Sequence, residues 1–469
     1  MIGMVSLTLN DVLSATAGAL VSGAPGMTLS STTIDSRTAR AGDLFFALKG
    51  PRHDGHDFLG EAFSRGAAAA VISSPGTPAP AGRGLVLVED TTRALQELAG
   101  SVRRSRGVRV VGITGSGGKT TTKEMTAAGL ATAMRVHRSP GNLNNAFGLP
   151  VALLTMPEGV DAAVLEMGMS YPGEMARLTE IARPDVGVIL NVGEAHRANF
   201  ASVEEIAAAK GELFRGMAPE STAVFNAADP RARRLGLAFP GRRISFAVDA
   251  EADLSVTGVE DDIVRGVRFT VRHEGAAPQR VALSLYGRHS AANAAAAIAV
   301  ALAFGIDTAR AVEALRGVGA LPGRGAVERL AEGVVMSDET YNSNPDALRS
   351  VLASLAATRW EGRRVLACGD MLELGEGAPG RHREAGGVAA RSGVDLLLAV
   401  GPLAAHTAAG ARDGGLGAVQ IYADSDEAAR QGVGLLRAGD LVVVKGSRGI
   451  AMDRFAAAVR GRFAGGGER

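Results

Sequence analysis

The sequence predicts an α/β protein of three domains. A central P-loop parallel sheet carries helices on both faces and a small antiparallel part. A small α/β domain precedes it and a Rossmann-like domain follows. Three observations predict this. Short apolar runs alternate with helix-length segments, the pattern of parallel strands covered by helices. A Gly-rich turn joins one such run to a helix. The chain has 469 residues, room for about three domains.

Residues 1–104 hold strand-like runs at Asp43–Leu48, Ala67–Ser73 and Leu85–Glu89, then a helical stretch, Thr92–Arg104. Pro and Gly mark Ser74–Gly84 as a surface loop. Residues 105–319 open with the run Arg109–Thr114, a Gly-rich turn and a helix from about Lys119. Further buried-strand candidates are Ala162–Glu166, Val186–Asn191 and Thr222–Asn226. Leu254–Thr257, Val267–Arg272 and Val281–Tyr286 read as antiparallel strands joined by polar turns. An Ala-rich helix from about Ser290 to Phe304 stops at Gly305. Residues 320–469 repeat the alternation, with strands at Val334–Ser337, Val365–Cys368, Leu396–Val400, Val419–Tyr422 and Leu441–Val444.

Charge and cysteine exclude several classes. The 50 Lys and Arg nearly balance the 49 Asp and Glu, so no surplus of charge points to nucleic acid or an anionic membrane. The lone Cys368 excludes an internal disulfide and a thiolate metal site. The first basic residue is Arg37, unlike a signal peptide. The longest apolar stretch, Ala291–Ile306, is shorter than the roughly 18 residues a membrane span needs. A cytoplasmic protein without membrane insertion is expected.

The strongest motif is Gly112-Ile-Thr-Gly115-Ser-Gly117-Gly118-Lys119-Thr120. Backbone N–H groups of such a turn and the following helix N-terminus make an anion cradle. Lys119 can reach the β- and γ-phosphates and the Thr120 hydroxyl can hold Mg²⁺. The spacing departs from the strict P-loop form, because Gly112 stands one residue early. The motif implies a nucleoside triphosphate and leaves the reaction open.

Glu166 and His196 each follow a buried run, where ligands of α/β sheets collect. Carboxylate, imidazole and threonine hydroxyl suit a phosphate-bound magnesium that keeps several waters. Lys210 is unusual. Ser202 and Glu205 form a capping box, and Ile206, Leu213, Phe214 and Met217 make an apolar stripe on which Lys210 falls. A buried ammonium would cost several kcal/mol. Either the stem snorkels or CO₂ converts the amine to a carbamate able to hold a second Mg²⁺.

Together these residues resemble the Mur ligase family, ATP-dependent amide ligases of peptidoglycan precursor synthesis. The resemblance rests on Gly112–Thr121, Asn142-Leu-Asn-Asn145, Leu165–Gly168, Asn191–His196, Ala209–Phe214, Gly287–His289 with Asn293, Pro322–Arg324 and Asp338–Asn344. It covers essentially the whole chain. Asn142–Pro150, Gly369–Gly375 and Lys445–Gly449 resemble most the branch that joins D-alanyl-D-alanine to UDP-N-acetylmuramoyl-tripeptide. Asp35–Arg37, Leu44–Gly50 and Asp54–His56 resemble the family's UDP-binding domain. Arg197 and Ala198 depart from the usual Leu-Glu after the histidine, and Ser343 from a usual Ala.

The resemblance implies roles. Gly115, Ser116, Gly117, Gly118, Lys119, Thr120 and Thr121 would hold ATP phosphates, and Asn293 would meet the adenine. Arg324 and Asp338 would complete the ATP site on domain closure. Thr120 and Glu166 would serve one Mg²⁺, and His196 with carbamylated Lys210 a second. Lys119, His196 and Lys210 would be the catalytic set. Ser36 and Arg37 would contact the uridine diphosphate, and Asn142 and Asn145 the sugar-peptide. Asn342, Asn344, Lys445, Ser447 and Arg448 would lie on the domain bringing D-alanyl-D-alanine. A monomer is expected. Alternatives are another ligase of this architecture adding a single amino acid, a folylpolyglutamate synthetase-like ligase, or a P-loop switch or binding module. The chain lacks the Asp-Asn-Pro-Arg string of diamino-acid-adding relatives and the N-K-x-D string of guanine switches.

Overall fold

A computed structural model describes residues 7–50, 53–194 and 199–464. Helix Thr91–Ser105 starts where Asp90 accepts hydrogen bonds from the Thr92 (2.7 Å) and Arg93 (3.1 Å) amides. It follows a five-stranded sheet ordered Ala19–Ser22, Gly84–Leu87, Ala69–Ile72, Asp43–Phe46, Ser31–Thr33. Only the first pair is antiparallel. The same helix packs on the next domain. Arg103 donates to the carbonyl of Ala182 (2.8 Å) and to Asp185 (3.1 Å). Leu95 and Leu98 share one core with Leu149 and Met175.

The central sheet has nine strands. Val136–Arg138, Ala162–Glu166, Arg109–Thr114, Val186–Ile189, Thr222–Asn226, Arg242–Val248 and Leu254–Asp262 run parallel in that spatial order. Gly266–His273 and Gln279–Leu283 then close the edge antiparallel. The antiparallel part therefore extends the main sheet. Strands Val136–Arg138 and Arg242–Val248 lie outside the runs that the sequence marks. Both carry charged residues on exposed positions, which breaks up the apolar run.

Helix Arg288–Ala303 lies on one face of this sheet beside helix Lys119–Ala131. Ala291 and Ala294–Ala301 are all buried. An alanine surface lets a helix approach a sheet and a second helix together, and a helix apolar all round belongs inside. Gly287 (φ +91°) precedes it and Gly305 (φ +79°) follows it, both in backbone that side chains disfavour.

The last domain is a six-stranded sheet ordered Ala326–Arg329, Val335–Glu339, Leu441–Lys445, Arg364–Gly369, Leu396–Val400, Val419–Tyr422, parallel except at the first pair. The edge strand Ala326–Arg329 was not expected; it is half-exposed and has no apolar run. The turn between Leu254–Asp262 and Gly266–His273 plugs into this domain. Ile263 is fully buried among Val351, Leu355 and Tyr286, and its amide donates to Thr358 Oγ1 at 2.9 Å.

Ala297 tests the alanine surface. Ala297→Leu should overpack the helix–sheet contact and cost about 1–3 kcal/mol. The check is the thermal unfolding midpoint, which should fall; an unchanged midpoint would mean the contact has slack.

Candidate active site

Three parallel strands end side by side at one edge of the central sheet: Ala162–Glu166, Arg109–Thr114 and Val186–Ile189. The middle one turns through residues 115–118 into helix Lys119–Ala131. The neighbouring segment 191–193 holds that turn. Asn191 Oδ1 accepts from the Gly117 amide at 2.9 Å, and the Ser116 amide donates to the Asn191 carbonyl at 3.1 Å. Ser116 Oγ accepts from the Gly193 amide at 2.9 Å. Gly118 has φ +85°, and a Cβ there would fall 2.3 Å from Asn293 Oδ1. Glycine is required on both counts. Asn293 is buried, and its Nδ2 has no hydrogen-bond partner among the described residues. An orphaned donor beside a glycine-lined anion cradle fits a nucleotide.

Glu166 is 2% exposed yet fully engaged. Thr120 Oγ1 donates to its Oε2 at 2.9 Å and Asn144 Nδ2 to its Oε1 at 2.8 Å. Its amide donates to Ser139 Oγ at 3.2 Å. The Thr120 and Glu166 oxygens are hard donors in contact, which fits a magnesium whose other ligands are phosphate oxygens and water. Among the described residues no cluster of three or more His, Cys, Asp or Glu could hold a metal alone. His196 lies outside the described residues.

Lys119 Nζ donates to the Gly115 carbonyl at 2.8 Å. Burial lowers its pKa, Glu166 raises it in part, and Arg324 lowers it further. Lys210, on helix Val203–Gly216, is 2% exposed and has no ion pair or hydrogen bond among the described residues. Burial, then the Lys119 charge, pulls its pKa well below the ordinary lysine value. The shift favours the neutral amine, the form that is a nucleophile. Ser202 caps this helix through the Glu205 amide (3.2 Å), while Glu205 reaches the Ala201 amide (2.9 Å), one residue before the expected partner.

The last domain closes over this edge. Arg324 stacks on the Tyr341 ring at 3.7 Å and lies close enough to act on Lys119. Arg381 pairs with Glu194 at 2.7 Å, and a Cβ on Gly193 would meet Asp346 Oδ2 at 2.6 Å. Such a half-exposed pair contributes about 0–1 kcal/mol, enough to bias closure and too little to lock it. Tyr286 donates to Glu339 Oε1 at 2.8 Å, and Lys445 pairs with Glu339 Oε2 at 3.3 Å. Arg448 is exposed, 5.9 Å from the Tyr341 ring. The Asp338 carboxylate accepts from Arg460 (2.7 Å) and Thr340 Oγ1 (2.6 Å). Ser447 accepts from the Leu372 amide at 2.9 Å. Asn344 caps helix Pro345–Ala357 through the Ala347 amide at 2.8 Å, whereas Asn342 is exposed.

At the opposite flank, Ser36 is buried and donates to Glu61 at 2.6 Å. Exposed Arg37 is held by Asp35 at 2.7 and 2.9 Å. Asn145 Oδ1 accepts from the amide of Gly148, the first residue of the next helix, at 2.9 Å, and Asn142 is exposed. Thr121 is half-buried on the phosphate-loop helix. Asn144, Ser139 and Asn191 hold the site without any individual signal in the sequence. Asn144 stands between two asparagines that were singled out, and only the turn geometry distinguishes them.

Three family models tile the chain: Mur ligase family, catalytic domain, at residues 28–103; Mur ligase middle domain at 113–301; and Mur ligase, glutamate ligase domain, at 323–448. The UDP-N-acetylmuramoyl-tripeptide–D-alanyl-D-alanine ligase of Bacillus subtilis (strain 168) is 33% identical over 420 residues, covering 89% of this chain and 90% of its own. A crystal structure of MurF from Acinetobacter baumannii superposes with a TM-score of 0.89 at 29% identity, covering 98% of this chain and 99% of its own. MurF ligase from Thermotoga maritima in complex with ADP gives 0.80 at 29%, covering 92% and 98%.

Two outcomes follow from the geometry. Gly118→Ala combines a forbidden φ with the Asn293 clash, so nucleotide affinity measured by calorimetry should fall about tenfold or more. Lys210 should also set a pH dependence. Its folded pKa lies below the unfolded value of about 10.4, so between the two the unfolded chain binds the extra proton. Stability therefore rises with pH through that window. In CO₂-free buffer, denaturant midpoints of the parent should rise with pH on approaching the unfolded lysine value from below, and Lys210→Met should flatten the rise.

Proposed function

Because this chain belongs to the Mur ligase family, we propose that it is the ATP-dependent ligase joining D-alanyl-D-alanine to UDP-N-acetylmuramoyl-tripeptide in peptidoglycan precursor synthesis. The observation that carries this is collinear likeness, over nine-tenths of both chains, to a ligase of that name. The enzyme works in the cytoplasm as a monomer.

A carboxylate is a poor electrophile, so the reaction begins with its activation. A peptide carboxylate oxygen attacks the γ-phosphorus of ATP, the bond to ADP breaks, and an acyl phosphate forms. Gly115–Thr121 cradle the phosphates, and Lys119 follows the transferring group with a charge that Glu166 sustains. Magnesium held with the nucleotide by Thr120 and Glu166 would neutralise charge on the phosphates. The dipeptide amine then attacks the acyl carbon, loses a proton, and phosphate leaves. Arg324 and the closed last domain exclude water from the acyl phosphate and hold the amine in place.

Lys210 gives the second cation site. Its neutral amine attacks CO₂ and loses a proton, which turns a group hostile to a cation into a carboxylate. His196 would share that second Mg²⁺. Asn293 serves the adenine, Ser36 and Arg37 the uridine diphosphate, and Asn142 and Asn145 the sugar-peptide. Asn342, Asn344, Lys445, Ser447 and Arg448 serve the acceptor dipeptide. Asp338, tied to Arg460, serves the nucleotide indirectly by fixing the strand that leads to Tyr341.

The decisive assay is phosphate release from ATP with UDP-N-acetylmuramoyl-tripeptide, offering D-alanyl-D-alanine, free amino acids, or folate with glutamate. Release with the dipeptide alone is expected; release only with a free amino acid overturns the assignment. Lys210→Ala should lose nearly all turnover, and bicarbonate should not restore it. ¹³C-bicarbonate should give the parent, and not this variant, a carbamate resonance. Near-normal turnover of the variant would remove the carbamate.

A further inference from the structure

Lys123 stands one turn beyond Lys119 on the phosphate-loop helix and takes no part in the chemistry above. It is 1% exposed. Its Nζ donates to the Ser139 carbonyl at 2.8 Å and the Gly141 carbonyl at 2.9 Å. The charge is balanced by Glu124 Oε1 at 3.4 Å, whose other oxygen meets Arg138 at 3.0 Å. The helix thus grips the root of segment 139–145 at three closely spaced residues, Arg138, Ser139 and Gly141. That segment in turn holds Glu166. Ser139 Oγ accepts from the Glu166 amide at 3.2 Å, and Asn144 Nδ2 donates to its Oε1 at 2.8 Å. Asn144 also accepts the Gly168 amide on its carbonyl at 2.7 Å, which fixes the strand end beyond Glu166.

A buried ammonium spent on two carbonyls of an irregular loop is costly unless the loop's position matters. The hydrogen-bond path closes on itself. It runs from Lys123 to the Ser139 and Gly141 carbonyls, directly through Ser139 Oγ or along the chain through Asn144 to Glu166, then to Thr120 and back into the same helix. From this geometry we infer that Lys123 is a positioning residue. It locks the asparagine segment against the phosphate-loop helix so that Glu166 presents Oε2 beside Thr120 to the nucleotide-bound magnesium. Through the same segment it couples that carboxylate to the loop bearing Asn142 and Asn145, so a ligand seated on the loop is sensed at the metal. The inference rests on the proposed reading of Thr120 and Glu166 as metal ligands.

Lys123→Met keeps the length and apolar stem and removes the donors. Calorimetric titration of ADP, with and without Mg²⁺, reads the effect without turnover. The Mg²⁺ concentration for half-maximal strengthening of ADP binding should rise about tenfold, as for loss of an outer-shell partner of a metal ligand. ADP affinity without Mg²⁺ should stay unchanged. A general loss of structure would lower both, and an unchanged Mg²⁺ dependence overturns the inference. Asn144→Ala cuts the path at its far end and should reproduce the shift, with no further effect in the double variant; additive shifts overturn the single path. Asn144→Ala also keeps the test alive if Lys123→Met does not fold. Hydrogen exchange should quicken at residues 141–148 and stay unchanged in the Ala-rich helix. If the parent's ADP binding ignores Mg²⁺, the metal reading fails with it. If the parent depends on Mg²⁺ and the variants match it, only the role of Lys123 fails.

Discussion

The hydrogen bond between Thr120 and Glu166 joins the first residues of a helix to the end of a neighbouring strand. It also sits where two opposing demands meet. A carboxylate buried to 2% needs every lone pair answered, while a metal ligand must keep an oxygen to offer. The fold reconciles them by letting donors that can yield, a hydroxyl and a side-chain amide, satisfy the carboxylate. Much of the central domain serves this point. The parallel sheet brings the two chain segments side by side, the alanine helix presses the phosphate-loop helix onto the sheet, and the asparagine segment covers the remaining flank.

Around that point the charges are arranged in sequence. Glu166 sustains Lys119, Lys119 depresses Lys210, and Arg324 arrives from another domain to depress Lys119 further. Every cation added makes the next less willing to stay charged. Phosphate groups would relieve this crowding, so the edge is electrostatically prepared for a polyanion even though the chain as a whole is almost neutral. The neutral surface and the local excess of cations are compatible because the cations are few and wholly or partly buried.

Much of this was legible in the sequence. Gly-rich turn, strand and helix announce themselves in order, and the period of apolar residues places Lys210 on a buried stripe. What the sequence could not give was direction. Asn142, Asn144 and Asn145 are chemically alike, and a turn decides that only Asn144 reaches Glu166. Asp338 is held by Arg460, 122 residues away, a partner that no local pattern announces. Edge strands such as Ala326–Arg329 escaped because an edge exposes one side and needs no continuous apolar run. For Asn144 and Asp338 the missing information is a contact between residues distant in sequence.

The plug formed by Ile263 means that the last domain does not own its entire core. Ile263 and Tyr286 belong to the middle stretch of the chain, yet they fill space among Val351, Leu355 and Val335. A fragment beginning at residue 320 would leave that socket open to water, with Thr358 Oγ1 deprived of the Ile263 amide it bonds. Cutting the polypeptide where the sequence divides would therefore not yield two self-sufficient pieces. The socket also makes the two domains inherit each other's errors: a substitution in the hairpin turn is a core mutation of a domain it does not belong to.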